Sequence, residues 1–110
     1  MSDQAAQILP SVVVLPAEID VTNSEEVYEQ LTAALSPGVG MVIADLTSTS
    51  FCDSSGVHAL MHAHEQAAAR DVGFRLAVSP GSSVRRVLQL TGADHVVPVF
   101  ASVQEAIQEA

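Results

Sequence analysis

Short continuous runs of apolar residues alternate along this chain with segments in which apolar residues recur every three or four positions. The first pattern is typical of buried strands, and the second is typical of amphipathic helices. Four runs predict strands, at residues 11–15, 41–46, 74–78 and 96–100. Residues 5–9 are a weaker candidate for a strand that pairs with the first one as a hairpin.

The helical spacing recurs in four segments, and capping signals mark several of their ends. Thr22 and Glu25 have the spacing of a capping box, in which the threonine oxygen accepts a hydrogen bond from the third helical N–H. A second helix is predicted at about residues 54–70. The third helix ends at Gly92, a typical C-terminal cap, and Ser102 begins a second candidate capping box for the last helix.

Strands and helices that alternate through short links predict an α/β fold with helices packed against a sheet. The run at residues 41–46 is apolar almost throughout, which is typical of a central strand covered on both faces. Pro98 has no backbone donor and therefore places the last strand at a sheet edge. No repeat or linker divides the sequence, so we expect a single domain over residues 1–110, with residues 1–8 partly disordered.

The charge balance argues against two classes of partner. Thirteen acidic residues stand against four arginines and no lysine, and the formal net charge is -9 at pH 7. Binding to nucleic acid requires a basic surface, which this chain lacks, and an anionic membrane surface is disfavoured for the same reason.

The cysteine content and the apolar segments bear on location. A single cysteine, Cys52, rules out an internal disulfide and fits a reducing compartment. No stretch approaches the run of about 20 apolar residues that a membrane helix needs, and the N-terminus has no signal-peptide pattern. We therefore expect a cytoplasmic protein.

The stretch TSTSFCDSSGVHAL, residues 47–60, contains most of the candidate chemistry, because it joins the predicted central strand to a predicted helix. Three interpretations are open from its residues alone. Asp53, Ser54 and Ser55 are favoured helix caps, because their side-chain oxygens accept hydrogen bonds from unpaired N–H groups. A serine nucleophile is disfavoured, because the G-x-S-x-G elbow lacks its first glycine and no orienting partner for a histidine is evident. Regulatory phosphorylation is the third interpretation, since a helix N-terminus stabilises a phosphate.

Two neighbouring features have a functional and a structural interpretation. His58, His62 and Glu65 share one face of the predicted helix, a spacing compatible with zinc, but an exposed polar face explains it as well. Cys52 has no basic residue beside it in sequence. A small buried hydrophobic residue is therefore the better interpretation of it than a reactive thiol.

Several segments together resemble the anti-sigma factor antagonists of the STAS domain family. F-C-D-S-S-G at residues 51–56, after the strand MVIADL, resembles the motif of these proteins, and LPAEIDVTNSEEV resembles their passage from a strand to the first helix. That passage usually reads G-E-L/I-D, and Ala17 replaces its glycine here. LAVSPGSSVRRVLQLTGADHVVPVF resembles the last strand-helix-strand unit, and FASVQEAI resembles the closing helix, so the likeness covers nearly the whole chain.

The resemblance implies a four- to five-stranded mixed β-sheet with about four α-helices packed mainly on one face. It also implies a bacterial regulatory mechanism called partner switching. The unphosphorylated antagonist binds an anti-sigma factor, which is a serine kinase of the GHKL type, and thereby releases a sigma factor for transcription. Phosphorylation by that kinase reverses the binding, and a PP2C-type phosphatase restores the antagonist.

The resemblance also assigns roles to residues. The modified serine of the family directly follows the aspartate of the motif, which makes Ser54 the expected phosphorylation site. The expected partner-binding residues are Asp20, Thr22, Asn23, Asp53, Ser55 and Gly56. Ser55 occupies a position that is more often structural, although some relatives have a second phosphorylation site nearby.

We expect a protein that is not an enzyme and that needs no cofactor and no metal. The alternative is a STAS-like scaffold or transporter-associated module whose serine is no longer switched. A small hydrolase is a third hypothesis, which a generic esterase assay would test.

Overall fold

The computed structural model describes residues 9–109, in which strands and helices alternate. The strands are β1 (Leu9–Val14), β2 (Glu18–Ile19), β3 (Val39–Asp45), β4 (Phe51–Cys52), β5 (Gly73–Ala77) and β6 (Val99–Phe100). The helices are α1 (Ser24–Ala33), α2 (Ser54–Ala69), α3 (Ser83–Thr91) and α4 (Val103–Gln108), and a 3-10 helix, Ala93–His95, follows α3.

Two sheets form, and all of their described ladders are parallel. The larger sheet has the strand order β1-β3-β5-β6, and β2 and β4 pair with each other in a separate two-stranded sheet. The expected α/β fold is confirmed, with β3 in the interior of the sheet and β6 at its edge, as the continuous apolar run and Pro98 predict. The hairpin predicted for residues 5–9 lies outside the described residues except for Leu9, which begins β1.

The helices cover the two faces of the larger sheet unequally. Helices α1, α2 and α3 pack on one face around the main core, whose large, fully buried members include Val27, Leu31, Leu60, Leu76 and Leu88. On the other face α4 covers a small cluster of Ile43, Ala77 and Ala106. This arrangement confirms the prediction that the helices lie mainly on one face.

Arg75 of β5 attaches α4 to the sheet. Its Nη1 donates to the carbonyl oxygens of Ala106 at 2.6 Å and Glu109 at 2.7 Å. The guanidinium also lies over the ring of Phe100, 5.2 Å from its centroid. These contacts satisfy carbonyl groups at the end of α4 that have no partner within the helix.

The capping box predicted at Thr22 is wrong. Helix α1 begins at Ser24, with Asn23 as its N-cap and no side-chain capping bond. The Thr22 hydroxyl donates instead to the carboxylate of Asp20, and the Ser24 N–H donates to the Asp20 carbonyl at 2.9 Å. The residues that the spacing predicts as the start of the helix therefore form a hydrogen-bonded turn before it.

Other predicted helix ends are confirmed. Gly92 ends α3 in the left-handed conformation, with a φ of 79° that glycine adopts without steric cost. The Ser102 hydroxyl caps α4 by accepting from the N–H of Glu105 at 3.1 Å. The capping box is incomplete, because the Glu105 carboxylate accepts from the N–H of Ala101 and not from that of Ser102.

Candidate functional site

The two-stranded sheet joins the two segments that contain the predicted site residues. Glu18 lies opposite Phe51, and Ile19 lies opposite Cys52. The N–H of Asp53 extends the pairing by donating to the carbonyl of Ile19 at 3.1 Å. Because parallel strands end at the same edge of a sheet, the residues that follow β2 and β4 are neighbours in space.

The hydroxyl-rich segment before β4 is fixed to the segment before β2. Thr49 is buried, and its hydroxyl donates to the carbonyl of Pro16 at 2.8 Å. The backbone N–H of Ser50 donates to the carbonyl of Ala17, also at 2.8 Å. Since buried polar groups need partners, the first of these bonds satisfies the hydroxyl of Thr49. Together the two bonds hold the segment that leads into β4 against the segment that leads into β2.

Asp53 caps α2, which confirms the capping interpretation for this residue. Its Oδ1 accepts from the N–H of Ser55 at 3.0 Å, from the N–H of Gly56 at 3.2 Å and from the Ser55 hydroxyl. The bond from the Ser55 hydroxyl, with the two backbone bonds, lowers the pKa of Asp53, although desolvation partly opposes this. The carboxylate is therefore held in its ionised, hydrogen-bond-accepting form.

Ser54 and Ser55 are adjacent in sequence but differ in their surroundings. Ser55 is half-buried, and its hydroxyl is engaged with Asp53. Ser54 is the first residue of α2 and is exposed. Within the part of the chain that the structure describes, the Ser54 hydroxyl has no hydrogen-bond partner. Of the two serines, Ser54 is the one whose hydroxyl faces solvent and can be modified without breaking a bond.

Gly56 is buried where α2 meets the two-stranded sheet. A Cβ atom at this position would lie 2.6 Å from the sulfur of Cys52 and 2.8 Å from Cγ2 of Ile19, distances at which neighbouring atoms would have to move. The glycine therefore allows the start of α2 to approach β2 and β4 closely. Its position fixes where Ser54 stands relative to the loop that follows β2.

The loop after β2 is a compact hydrogen-bonded turn. The Asp20 carboxylate accepts from the N–H of Thr22 at 2.9 Å and from its hydroxyl. Asn23 accepts from the N–H of Asp20 at 2.9 Å and donates from its amide nitrogen to the carbonyl of Glu18 at 2.8 Å. The structure thus brings the predicted residues together in two ordered groups, one after each strand of the small sheet.

A groove with a volume of about 370 Å³ separates the first turns of α1 and α2. Glu25 and Tyr28 line it from α1, and Ser55, His58 and His62 line it from α2. The rings of Tyr28 and His62 meet edge to face, with 6.1 Å between their centroids. Polar and ionisable side chains therefore dominate this side of α2.

A second groove, of about 220 Å³, lies on the other side of α2, against the end of α3 and the 3-10 helix. Ser54, Val57 and His58 line it from α2, with Gly92 and Val96 opposite. Val96 is 51% exposed. The candidate phosphorylation site thus opens onto a partly apolar groove.

Two exposed apolar side chains near the site are residues that sequence reasoning missed. Phe51 is 49% exposed, and Val21, in the loop after β2, is 76% exposed. Phe51 points outward because side chains alternate along a strand and its neighbour Cys52 is buried. The apolar-polar pattern of residues 51–53 gives no sign of which face is solvent-exposed, so only the tertiary structure identifies these residues.

Cys52 is not a reactive thiol. It is buried, and burial together with the charge of Asp53 raises the pKa of Cys52 to about 11. The thiol is therefore neutral at physiological pH, and the interpretation of Cys52 as a small buried residue is confirmed. Residues 9–109 contain no group of three His, Cys, Asp or Glu side chains arranged to hold a metal ion, so His58, His62 and Glu65 do not form one.

A family model of the STAS domain matches residues 3–106. The chain belongs to the STAS domain family. The comparison with curated proteins gives no significant match. Within residues 9–109 no helix is both long enough and apolar enough to cross a membrane.

Solved structures of STAS proteins share this fold. An anti-sigma factor antagonist from Mycobacterium paratuberculosis is 24% identical, with a TM-score of 0.79 over 89% of this chain and 82% of that one. The anti-sigma factor antagonist SpoIIAA in its unphosphorylated form is 25% identical, with a TM-score of 0.72 over 92% and 87%. The murine anion transporter Slc26a9 is 20% identical, with a TM-score of 0.73 over 92% of this chain but 17% of the transporter. The STAS fold therefore occurs both in antagonists and as a part of transporters.

Proposed function

We propose that this protein is an anti-sigma factor antagonist whose binding is switched by phosphorylation of Ser54. In the unphosphorylated form it binds an anti-sigma factor that is a serine kinase of the GHKL type, and the sigma factor is released. The kinase then transfers the γ-phosphoryl group of ATP to the Ser54 oxygen, which loses its proton, and ADP leaves. The phosphorylated protein dissociates from the kinase.

The exposed Ser54 hydroxyl is the observation on which the proposal rests. It stands at the first position of α2, while the adjacent Ser55 hydroxyl and the Asp53 carboxylate are bonded to each other. A kinase can reach the Ser54 oxygen without unfolding the helix, because the cap of α2 does not depend on it. The fold shared with anti-sigma factor antagonists supports the same assignment.

The charge of a phosphate supplies the switch. A phosphoserine carries a charge of about -1.5 to -2 at neutral pH. On Ser54 this charge would stand beside the Asp53 carboxylate, in a chain whose net charge is already -9. A partner surface that fits the neutral hydroxyl closely would have to accommodate a bulky dianion, which costs desolvation and like-charge repulsion.

The surface around Ser54 supplies the partner contacts in this proposal. Asp20, Thr22 and Asn23 form the ordered turn after β2, and Asp53 with Ser55 forms the cap of α2. Gly56 contributes indirectly, because it is buried and holds the helix against the small sheet. The protein acts as a binding partner in the cytoplasm and not as an enzyme, and a PP2C-type phosphatase hydrolyses the phosphoserine to restore the hydroxyl.

Phosphorylation with purified kinases tests the proposal. The protein is incubated with ATP and each GHKL-type anti-sigma kinase of its organism, and the product is analysed by intact mass and peptide mapping. We expect one added phosphate, located on Ser54. The Ser54→Ala variant should receive none, whereas Ser83→Ala, which also removes a hydroxyl, should still be modified.

Binding measured by calorimetry completes the test. Ser54→Asp should weaken binding to the same kinase, and Ser54→Ala should retain it. Phosphate on another residue, or equal affinity of Ser54→Asp and the unmodified protein, would contradict the proposal.

The likeness to the anion transporter supports a second candidate, a STAS-like scaffold or transporter-associated module without serine switching. Affinity capture from the source organism, with the bound proteins identified by mass spectrometry, separates the two candidates. A GHKL-type kinase bound in a Ser54-dependent way supports the antagonist. A transporter or scaffold protein that binds Ser54→Asp and the unmodified protein equally supports the second candidate.

A further inference from the structure

A phosphate on Ser54 would find most of the N–H groups at the helix end already occupied. The N–H groups of Ser55 and Gly56 already donate to the Asp53 carboxylate, and the N–H of Val57 donates to the Asp53 carbonyl. Helix N–H groups are the usual partners of a phosphate at this position. Because Asp53 occupies them with a negative charge of its own, a phosphorylated Ser54 needs a different counter-charge.

The permanent cations of the chain are placed elsewhere. The sequence contains no lysine. Arg75 donates to carbonyl groups at the end of α4, and Arg70 stands at the far end of α2, where it donates to Leu35. Arg85 and Arg86 line cavities at the start of α3, and neither lines the groove onto which Ser54 opens.

His58 is suitably placed to supply the missing charge. It lies four residues after Ser54 in α2, which puts the two side chains on the same face of the helix, one turn apart. Side chains in a helix lean toward its N-terminus, so the imidazole of His58 can reach the turn that contains Ser54. Both residues are exposed and line the same groove of about 220 Å³.

We propose that the imidazolium of His58 is the counter-ion of phosphorylated Ser54 and holds the phosphate over this groove. The proposal deepens the function proposed above and rests on it, since it assigns a partner within the chain to the modified serine.

The other ionisable groups around His58 are the ones that can compete with the phosphate for its imidazolium. Glu25 and Tyr28 face it from α1, and His62 lies one turn further along α2. On the other side of the groove, Asp94 and His95 belong to the 3-10 helix, with 3.8 Å between Oδ1 of Asp94 and Nε2 of His95. Glu25 is the carboxylate that shares a groove with His58, so it is the main competitor for the imidazolium before phosphorylation.

Phosphorus NMR on protein with phosphoserine incorporated genetically at position 54 tests the proposal. No kinase is needed, so a failure here is distinguishable from a failure of the proposed switching mechanism. The midpoint of the second phosphate ionisation is measured in this protein and in its His58→Gln variant. We expect the midpoint to be lower with His58 present by about 0.3 pH unit, a twofold change in the ionisation constant.

Two matched variants control the measurement. His62→Gln removes an exposed imidazole that does not line the groove of Ser54 and should leave the midpoint unchanged. His58→Lys supplies a permanent cation at the same place and should lower the midpoint at least as much as histidine. Equal midpoints in the parent and His58→Gln, or an equal effect of His62→Gln, would overturn the proposal. Circular dichroism melting confirms that each variant is folded.

Discussion

The starts of α2 and α3 share a local sequence pattern, but of their first-position serines only that of α3 has a hydroxyl with a hydrogen-bond partner among residues 9–109. In each helix an N-cap side chain precedes a serine at the first helical position, Asp53 before Ser54 and Ser82 before Ser83. The Ser83 hydroxyl donates to the carbonyl of Ser50 at 2.7 Å. The Ser54 hydroxyl has no such partner within residues 9–109.

The difference separates a structural serine from a serine available for modification. The bond from Ser83 attaches the start of α3 to the residue just before β4, and so helps to hold the site in place. Ser54 stands on the surface that this bond supports. A cap followed by a serine is therefore not a phosphorylation signal by itself, and the tertiary environment decides which hydroxyl is free.

The largest expected effect is that of Gly56→Ala, because the added Cβ would prevent the start of α2 from packing closely against β2 and β4. Alanine is usually better than glycine inside a helix by about 1 kcal/mol. Here its Cβ would meet the sulfur of Cys52 and Cγ2 of Ile19 below 3 Å. We expect a loss of about 1–3 kcal/mol in the free energy of unfolding, measured by urea titration. The control variant Arg86→Ala, at an exposed position of α3, should change the free energy of unfolding by about 0.5 kcal/mol or less.

Removal of the two caps sharpens the comparison. Asp53 accepts three hydrogen bonds, whereas the Ser82 hydroxyl accepts one, from the N–H of Arg85 at 3.2 Å. Asp53→Ala should therefore lower the free energy of unfolding by more than Ser82→Ala does, and Ser82→Ala should cost about 0.5–1 kcal/mol in urea unfolding. Equal losses would mean that the additional bonds of Asp53 contribute nothing. Asp53→Asn, which keeps a good capping residue, is the control and should lose less than Asp53→Ala.

Removal of the two hydroxyls tests the comparison directly. Ser83→Ala breaks a hydrogen bond and should cost about 1 kcal/mol. Ser54→Ala breaks none among the described residues and should change the free energy of unfolding by about 0.5 kcal/mol or less. The ratio of the two losses in parallel urea titrations is the quantity to measure. A greater loss for Ser54→Ala would show that its hydroxyl has a structural role.

Acid should affect the two helix starts differently, because only one cap ionises. The pKa of Asp53 is lower in the folded protein than in the unfolded chain, so its ionised form stabilises the fold. This contribution is complete above the unfolded pKa of about 3.9 and is lost as the pH falls through the folded value. The difference in unfolding free energy between the parent and Asp53→Asn should shrink over that range. Ser82 does not titrate, so the effect of Ser82→Ala should not depend on pH.

Part of this structure is readable from periodicity and part is not. The helical spacing predicts the sixteen-residue α2 to within a residue, because a long amphipathic helix displays its spacing over several turns. The sheet β2–β4 was not predicted, because strands of two residues are too short to show an alternating pattern. Thr22 was assigned to a capping box on spacing alone, and the competing bond to Asp20 depends on a turn that the spacing does not reveal.

The candidate site was partly predictable for a similar reason. The sequence predicts Asp53, Ser54 and Ser55 as caps or as a modification site, and the structure distinguishes their surroundings. Asp53 caps the helix and Ser55 supports the cap, whereas Ser54 is exposed. The position of His58 beside Ser54 follows from helical geometry, but the groove that both residues line is formed by α3 and the 3-10 helix, distant in sequence.

In the proposed function, the pairing of β2 with β4 has a consequence for recognition by the kinase. The bond from Thr49 to Pro16 joins residues that are 33 positions apart, so the Asp20 turn reaches its place only when the intervening α1 and β3 have folded. A synthetic peptide of residues 47–60 would contain Ser54 and Asp53 but not this turn. A kinase that binds both should therefore modify the intact protein far more efficiently than the peptide, and partially unfolded chains would escape phosphorylation.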